Sequence, residues 1–372
     1  MELKAFYERF SSDCTAGSAA QVLTRFDEPV HRTGRVWYRL SHGGENYALL
    51  FTNRTDSTFS DGSISRANDP GGEWKILSMR VGLCPTWGGE PEKWVDVTFD
   101  GLTEKAVSTP EPFTTDPILL SAKGGEYLCY EIELEGCQFP YHQEITLTTR
   151  MTENSITTDE RQFPVPVMIG SDRKVMRRIG FIGDSITQGC GTEYDSYTHW
   201  AAKIAEGLPE NVSVWDLGIG FARGYDAATG GGWLRRAMTC DEVNVCFGVN
   251  DLLRGRTADQ LIADLRTIMR SLQSAGCRVI LFTVPPFDMV DEKREYWYQV
   301  NDIIRTELCH EADGWFDLAA ELGQPAPNAH MAAYGEHPNA EGCLKAAKAY
   351  LAGKVYLTGG NCPADDIARI GR

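Results

Sequence analysis

The sequence predicts a two-part protein of the α/β class: a β-sandwich of jelly-roll type over residues 1–165, then a parallel sheet with helices on both faces over residues 175–372. Two observations carry this prediction. In the first part, short runs rich in β-branched and aromatic residues are separated by turn clusters such as Gly43-Gly44 and Gly124-Gly125. Beyond the linker Pro164-Val165-Pro166, apolar runs alternate with segments of helical periodicity. A chain of 372 residues is long enough for a core in each part.

The first part contains several runs with the composition of strands. They are residues 36–40, 47–52, 75–81, 94–99, 127–132 and 145–149. The aromatic residues of this part could stack on sugar rings, but burial in the core of the sandwich is the simpler expectation. The residues in question are Trp37, Tyr38, Trp74, Trp87 and Trp94.

The second part repeats a strand followed by a helix. Strands are predicted at residues 178–183, 212–217, 242–247, 278–283 and 314–318, and helices at 197–207, 233–238, 257–275 and 296–312. Strands connected by helices pair in parallel, and such sheets bind ligands at the carboxyl ends of their strands. Functional side chains are therefore expected directly after these strands.

Charge and composition limit the partners. A net charge of -16 argues against binding to nucleic acid or to an anionic membrane, because both require basic patches. Residues 1–10 carry charges and lack the apolar core of a signal peptide, and no apolar run reaches membrane-spanning length. The 11 cysteines include no Cys-x-x-Cys pair, and no His/Cys group has the spacing of zinc ligands. We therefore expect a cytoplasmic protein without a metal, a disulfide framework or an organic cofactor.

The motif at residues 182–189, Ile-Gly-Asp-Ser-Ile-Thr-Gln-Gly, carries the first functional signal. It follows an apolar run and precedes a helical segment, so Ser185 is predicted on a tight strand-to-helix turn. The unpaired N–H groups of the first helical turn could face an oxyanion there, which suits a nucleophile. Gly-Asp-Ser is also common turn chemistry, and Ser185 could instead be a simple helix cap.

Two further motifs supply partners for a serine. Asn250, in Gly-x-Asn-Asp after the apolar run 243–247, could donate an amide N–H to an oxyanion or could form an Asx turn. His337 precedes Pro338 and Asn339, and Asn339 is suited to cap the helix that begins near residue 341. A serine hydroxyl needs a base within hydrogen-bond reach at neutral pH, and histidine is the usual one.

Residues 177–351 resemble the SGNH (GDSL-type) hydrolases, a family of esterases and acyltransferases with a flavodoxin-like sheet. The resemblance implies that Ser185 is the nucleophile, His337 the general base and Asn250 an oxyanion donor. The oxyanion glycine of the family follows the second strand, where this chain has Asp216-Leu217-Gly218-Ile219-Gly220-Phe221. Phe221 occupies the usual glycine position, so Gly220 is the predicted donor and Gly218 the second choice.

The family usually has an aspartate three residues before the histidine, and here that residue is Tyr334. The aspartate holds the imidazole in the right tautomer and stabilises the imidazolium. Three interpretations remain. The Tyr334 hydroxyl or a backbone carbonyl could orient His337, giving a Ser–His dyad, which we favour because Ser185, Asn250 and His337 are intact. A carboxylate such as Glu336 or Asp288 could take the role, or the enzyme could be impaired.

These residues predict a serine esterase for short acyl esters, O-acetyl above all, without metal or cofactor. By analogy with esterases that pair such a sandwich with this domain, the substrate could be an acetylated oligosaccharide. An acyltransferase of the same family is one alternative, and a noncatalytic carbohydrate-binding protein with a decayed hydrolase domain is another. The sequence predicts no oligomeric state.

Overall fold

The computed structural model describes residues 1–56, 67–142, 151–153, 156–158, 163–323, 334–353 and 355–357. The chain divides into two compact units, Met1–Val175 and Met176–Arg372. No helix in the described part of the chain combines the length and the apolarity needed to cross a membrane.

The first unit is almost entirely antiparallel β-structure. Its described elements are α1 (Leu3–Arg9), β1 (Ser11–Ser12), β2 (Val22–Leu23), β3 (Val30–Arg39), β4 (Gly43–Phe51), β5 (Trp74–Cys84), β6 (Trp94–Asp96), β7 (Lys105–Val107), β8 (Phe113–Thr114), β9 (Ile118–Lys123), β10 (Tyr127–Gly136), β11 (Pro140–Tyr141), β12 (Met151–Glu153), β13 (Ile156–Thr158) and β14 (Met168–Ser171). One sheet has the order β1-β14-β4-β8 with β9 also on β4, and the other has the order β13-β12-β3-β10-β5-β6 with β7 also on β5. The short strands β2 and β11 pair with each other.

Side chains of the two larger sheets meet in a shared core. Trp74 of β5 packs edge-on against Phe113 of β8, with ring centroids 6.1 Å apart. Tyr38 of β3 stacks on Tyr130 of β10. Their chain neighbours Trp37 and Cys129 point to the opposite face and are buried in a second cluster, so this part of the sheet is covered on both faces. The predicted antiparallel, β-rich first part is confirmed.

The tryptophans and the tyrosine considered for sugar stacking fall into two groups. Trp37, Tyr38 and Trp74 are at most 5% exposed and belong to buried clusters. Trp87 and Trp94 are half-buried and pack beside Trp37. The expectation that most of these rings serve packing therefore holds for the three buried ones.

The second unit alternates strands and helices around one mainly parallel sheet. Its described elements are β15 (Arg177–Gly183), α2 (Ser185–Gln188), α3 (Trp200–Gly207), β16 (Val212–Gly218), α4 (Gly224–Ala228), α5 (Gly232–Ala237), β17 (Glu242–Cys246), α6 (Val249–Leu253), α7 (Ala258–Ser274), β18 (Arg278–Phe282), α8 (Asp291–Ile303), a π-helix (Ile304–Leu308), α9 (Cys309–Glu311), β19 (Gly314–Phe316), α10 (Leu318–Leu322), α11 (Ala340–Leu351) and β20 (Val355–Leu357).

The described strands of this sheet lie in the order β16-β15-β17-β18-β19-β20. The first five are parallel, and in chain order they give 2-1-3-4-5, the flavodoxin-like arrangement. The chain changes direction across the sheet between β15 and β17, and a crevice opens at the carboxyl ends of strands at such a switch point. Ser185 follows β15 and Asn250 follows β17, so the topology brings both to the position where ligands bind.

Helices cover both faces of the sheet. On one face Phe181 of β15 packs edge-on against Trp200 of α3, with ring centroids 5.3 Å apart, and lies beside Tyr350 of α11. On the other face Trp233 of α5 donates its Nε1–H to the carbonyl oxygen of Leu217 in β16 at 2.7 Å. The predicted parallel sheet with helices on both faces is confirmed.

Several bounds differ from the sequence prediction: the helix predicted at 197–207 begins at Trp200, and the strand predicted at 94–99 ends at Asp96. The predicted helix at 296–312 begins earlier, at Asp291, and changes to a π-helix at Ile304. The predicted strand at 314–318 ends at Phe316, because Asp317 caps α10 by accepting a hydrogen bond from the Ala320 N–H. The sheet also gains an antiparallel edge strand, β20, that the βα pattern did not indicate. The predicted strand at 145–149 lies outside the described residues.

Candidate active site

Ser185 opens α2 directly after Gly183, the last residue of β15, and Asp184. The Asp184 side chain caps this helix by accepting a hydrogen bond from the Ile186 N–H at 2.9 Å. Position 183 has no room for a side chain, since a Cβ there would lie 2.6 Å from the Cys246 carbonyl oxygen. The tight turn expected of the Gly-Asp-Ser motif is therefore present. It places Ser185, 9% exposed, at the carboxyl end of its strand.

His337 lies in the turn that precedes α11, and its Nε2 is 2.9 Å from the Oγ of Ser185. Two hydrogen bonds fix this turn. The Asn339 N–H donates to the Tyr334 carbonyl oxygen at 3.1 Å, and the Asn339 side chain accepts from the Gly342 N–H at 3.0 Å. Asn339 is thus the helix cap that its sequence position predicts, and it anchors the histidine turn to the helix.

The imidazole of His337 is largely shielded from water. The ring of Phe287 meets it edge-on, with centroids 5.3 Å apart and planes at 89°. Burial lowers the pKa of His337 below its ordinary value of 6.5. The neutral ring, which can accept a proton from a serine hydroxyl, is therefore the dominant form at pH 7.

In the described part of the chain, the Tyr334 hydroxyl makes no hydrogen bond to His337. Among the described residues, the imidazole has one hydrogen-bond partner, Ser185. The ring of Tyr334 lies against α11, where a Cβ at Gly342 would be 2.7 Å from the Tyr334 Cβ, and the Lys345 ammonium lies 5.5 Å from the ring centroid. Glu336 is exposed and Asp288 is half-buried, and their role as orienting carboxylates stays a prediction.

Asn250 lies in the first turn of α6, close after the end of β17. The glycine of this motif, Gly248, has φ of 136°, which a residue with a side chain rarely adopts. Nδ2 of Asn250 donates to the Ala222 carbonyl oxygen at 3.1 Å. An amide nitrogen carries two hydrogens, so this bond leaves the second for another acceptor.

Gly220 and Phe221 form the turn between β16 and α4. Phe221 is left-handed, with φ of 62°, so it adopts the backbone conformation of a glycine at the position where the family has one. The Gly218 N–H donates to Oδ1 of Asp216 at 2.8 Å. The N–H of Gly218, the second choice as oxyanion donor, is thus engaged within its own strand, and Gly220 as the donor stays a prediction.

Two buried carboxylates lie beneath this region. Both oxygens of Asp251 accept backbone hydrogen bonds, from the Gly224 N–H at 2.8 Å and from the Tyr225 N–H at 3.2 Å. Burial raises the pKa of Asp251 to about 6. Burial also raises the pKa of Asp184 to about 7, and the charge of Asp251 adds to that rise. Both acids serve as hydrogen-bond acceptors for the backbone of the site.

A second buried pair was not predicted from the sequence. Nε2 of His199 lies 3.2 Å from Oδ2 of Asp216, and both side chains are fully buried. His199 directly precedes α3, so the pair ties the start of this helix to β16. Nothing in the spacing of the two residues indicates a contact, because it depends on how the helix packs on the sheet. Within the described part of the chain, no three His, Cys, Asp or Glu side chains come together as metal ligands would.

The sheet is thus flavodoxin-like, and a serine and a histidine are in contact at the carboxyl end of its first strand. Residues 181–343, a little under half of the chain, match the GDSL-like Lipase/Acylhydrolase family. Residues 181–343 of the second unit are therefore a GDSL-like lipase/acylhydrolase domain, and this match supports an ester hydrolase. No curated protein sequence matches the chain significantly.

Several solved structures are similar to a part of the chain. An acetylxylan esterase from Geobacillus stearothermophilus, Axe2, is 20% identical with a TM-score of 0.38, over 48% of this chain and 94% of that one. A member of the lipolytic protein G-D-S-L family from Veillonella parvula is 20% identical with a TM-score of 0.38, over 46% and 96%. LAE5, an α/β hydrolase enzyme from the metagenome of Lake Arreo, is 19% identical with a TM-score of 0.36, over 48% and 95%.

Proposed function

We propose that the protein is a serine esterase that hydrolyses short-chain acyl esters, O-acetyl esters in particular, by a Ser–His mechanism. The observation that carries the proposal is the 2.9 Å contact between Oγ of Ser185 and Nε2 of His337 at the carboxyl end of a central strand. A base at this distance can take the serine proton as the hydroxyl attacks a carbonyl carbon.

The first half of the reaction forms an acyl-enzyme. His337 takes the proton of Ser185, and the serine oxygen attacks the ester carbonyl. The N–H groups of Ser185 and Gly220 and the second amide hydrogen of Asn250 stabilise the tetrahedral oxyanion. His337 then gives its proton to the departing alcohol, which leaves the acyl group on Ser185.

In the second half, water replaces the alcohol. His337 takes a proton from the water as it attacks the acyl-enzyme, the same donors hold the second oxyanion, and the proton returns to Ser185 as the acid leaves. The His337 ring needs to be neutral at the start of each half, and its lowered pKa favours that form.

The burial of Ser185 favours a substrate with a short acyl group. Ser185 is only 9% exposed, and the ring of Phe287 lies against the base. A nucleophile in such surroundings accommodates an acetyl group more readily than a long chain. The proposal of a carbohydrate alcohol rests on the resemblance to carbohydrate esterases given by the sequence motifs.

Hydrolysis of 4-nitrophenyl esters from acetate to octanoate tests the proposal. We expect the highest kcat/KM on acetate and loss of turnover in Ser185→Ala. Ser274→Ala, at an exposed serine at the end of α7, is the matched control and should keep full activity. Turnover by Ser185→Ala equal to that of the wild type would refute the assigned nucleophile. Acetylated xylo-oligosaccharides, assayed by acetate release, then test the alcohol part of the substrate.

The alternatives give different results in the same assays. An acyltransferase would release nitrophenol faster when a sugar alcohol is added and would form an acylated sugar. A noncatalytic carbohydrate-binding protein would show no difference between the wild type and Ser185→Ala on any ester. Acetate release that is independent of added sugar supports the hydrolase.

A further inference from the structure

The loop that follows β18 brings an aromatic ring to the base. Phe287, a half-buried residue of this loop, meets the imidazole of His337 edge-on, with ring centroids 5.3 Å apart. In the described part of the chain, the imidazole has one hydrogen-bond partner, Ser185. A single hydrogen bond does not fix the plane of a ring, and the contact with Phe287 restricts it. The orientation of the base therefore depends on where the loop places Phe287.

Two side chains of α8 hold the start of this loop. Asn301 is fully buried; its Oδ1 accepts from the Val284 N–H at 2.8 Å, and its Nδ2 donates to the Val284 carbonyl oxygen at 3.0 Å. Trp297, 2% exposed, donates its Nε1–H to the carbonyl oxygens of Val284 and Pro285, each at 3.0 Å. Because proline has no N–H, these bonds engage every backbone polar group of the two loop residues.

The helix that carries this clamp is itself anchored. Trp297 and Asn301 are four residues apart, so both side chains point from the same face of α8. The helix continues into the π-helix Ile304–Leu308. There Arg305 donates from Nε and Nη2 to the two carboxylate oxygens of Asp317, each at 2.8 Å, directly after β19. The clamp is therefore tied to the end of the neighbouring strand.

Two prolines carry this constraint to the aromatic ring. Only Pro286 lies between Pro285, whose carbonyl oxygen is clamped, and Phe287. The ring of a proline fixes its own φ, and a proline also restricts the residue before it. On the other side, the carbonyl oxygen of Phe287 accepts from the N–H of the buried Met289 at 2.7 Å. The backbone of Phe287 is thus braced before and after the residue.

We propose that Asn301 is a positioning residue for the esterase reaction: it clamps the loop after β18 so that Phe287 holds the catalytic imidazole toward the serine. The inference rests on the proposed function. Asn301 does not touch the reacting atoms. It acts through Val284 and Phe287, and Trp297 shares the task.

The first test is a double-mutant cycle of Asn301→Ala and Phe287→Ala. Each single variant should lower kcat on 4-nitrophenyl acetate by about 10- to 100-fold, because a catalytic group displaced by about 1 Å loses up to that much. KM should change little, since the base acts in the transition state. The double variant should have about the kcat of the weaker single variant, because both changes remove the same support. Independent effects would multiply instead.

The matched control is a buried asparagine of the first unit. Asn53 donates to the carbonyl oxygens of Gly72 and Thr109, at 3.0 and 3.1 Å, and accepts from the indole N–H of Trp74 at 2.9 Å. Asn53→Ala loses a comparable set of buried hydrogen bonds, so its melting temperature should fall while kcat stays unchanged. A purely structural role of Asn301 predicts the same pattern for Asn301→Ala.

A second variant keeps the inference testable if Asn301→Ala does not fold. Trp297→Phe retains an aromatic ring and removes the indole N–H that holds the carbonyl oxygens of Val284 and Pro285. It should lower kcat at unchanged KM, and it should cause no further loss in the Phe287→Ala background.

The outcomes separate the inference from the function on which it rests. A wild type that neither hydrolyses esters nor is labelled at Ser185 by a fluorophosphonate overturns the proposed function and this inference with it. A wild type that does both, beside a folded Asn301→Ala variant with unchanged kcat, overturns the inference alone. Losses that multiply in the double variant do so as well. Where Asn301→Ala does not fold, the same two results with Trp297→Phe decide.

Discussion

Ser185 and His337 are 152 positions apart in the chain, yet Oγ of one lies 2.9 Å from Nε2 of the other. The serine is held by the turn after β15, and the histidine by the turn before α11. The two turns meet because α3 and α11 share a core with Phe181 of β15. The geometry of the pair therefore depends on the packing of the last helix against the sheet.

The environment of His337 predicts the acid side of the pH profile. Burial lowers the pKa of His337, so the neutral base persists below pH 6.5 and kcat/KM should fall only at lower pH. Phe287→Ala admits water to the ring and should move the midpoint up, toward 6.5. Profiles of kcat/KM on 4-nitrophenyl acetate between about pH 4.5 and about pH 8 measure the midpoints of the wild type and of Phe287→Ala. A midpoint that moves down in Phe287→Ala would contradict this account.

Asp184 predicts a dependence of stability on pH. Its folded pKa of about 7 lies above the ordinary 3.8, so the folded protein keeps a proton that the unfolded chain releases. The resulting stabilisation is complete below pH 3.8 and is lost as pH rises through 7. Relative to Asp184→Asn, the wild type should lose up to about 1.4 kcal/mol of unfolding free energy per pH unit in this window. Urea unfolding of both proteins at several pH values measures this difference, and parallel curves would refute it.

A side chain at position 218 should displace the nucleophile by steric contact. A Cβ at this position would lie 2.2 Å from the backbone nitrogen of Gln188, in the helix that begins with Ser185. Gly218→Ala should displace that helix, cost about 1–3 kcal/mol and abolish most esterase activity. Gly230→Ala is the control: φ there is 78° and the space is open, so it should cost about 1–2 kcal/mol and leave kcat unchanged. Equal activity of the two folded variants would contradict the prediction.

Removing the hydroxyl of Tyr334 should have only a small effect on catalysis. Because its ring packs against α11 and not against the imidazole, Tyr334→Phe should leave kcat and its pH profile unchanged. Tyr334→Ala should reduce the melting temperature through lost packing. A collapse of Tyr334→Phe to the level of Ser185→Ala would show that the hydroxyl orients His337.

The sequence predicts the parts of this protein whose signal is local. Strand ends at Gly183 and near Phe247, and the cap at Asn339, follow from turn and capping chemistry within a few residues. The placement of Tyr334 cannot be predicted from local sequence, because it depends on which face of α11 its ring packs against in the folded protein. The left-handed conformation of Phe221 could not be predicted either, because side-chain sterics disfavour it and its carbonyl oxygen accepts a hydrogen bond from the distant Arg254.

The two end strands of the sheet in the second unit have a consequence for association between molecules. Strand β20 pairs antiparallel with β19, so the backbone groups on that side of β19 have partners, and at the other end every residue of β16 is buried. An open edge is a template on which a strand of another molecule can add, and natural proteins cover such edges. In the described part of this sheet, one end strand is buried and the other is only three residues long, and so short an edge offers few backbone groups for copies to join edge to edge.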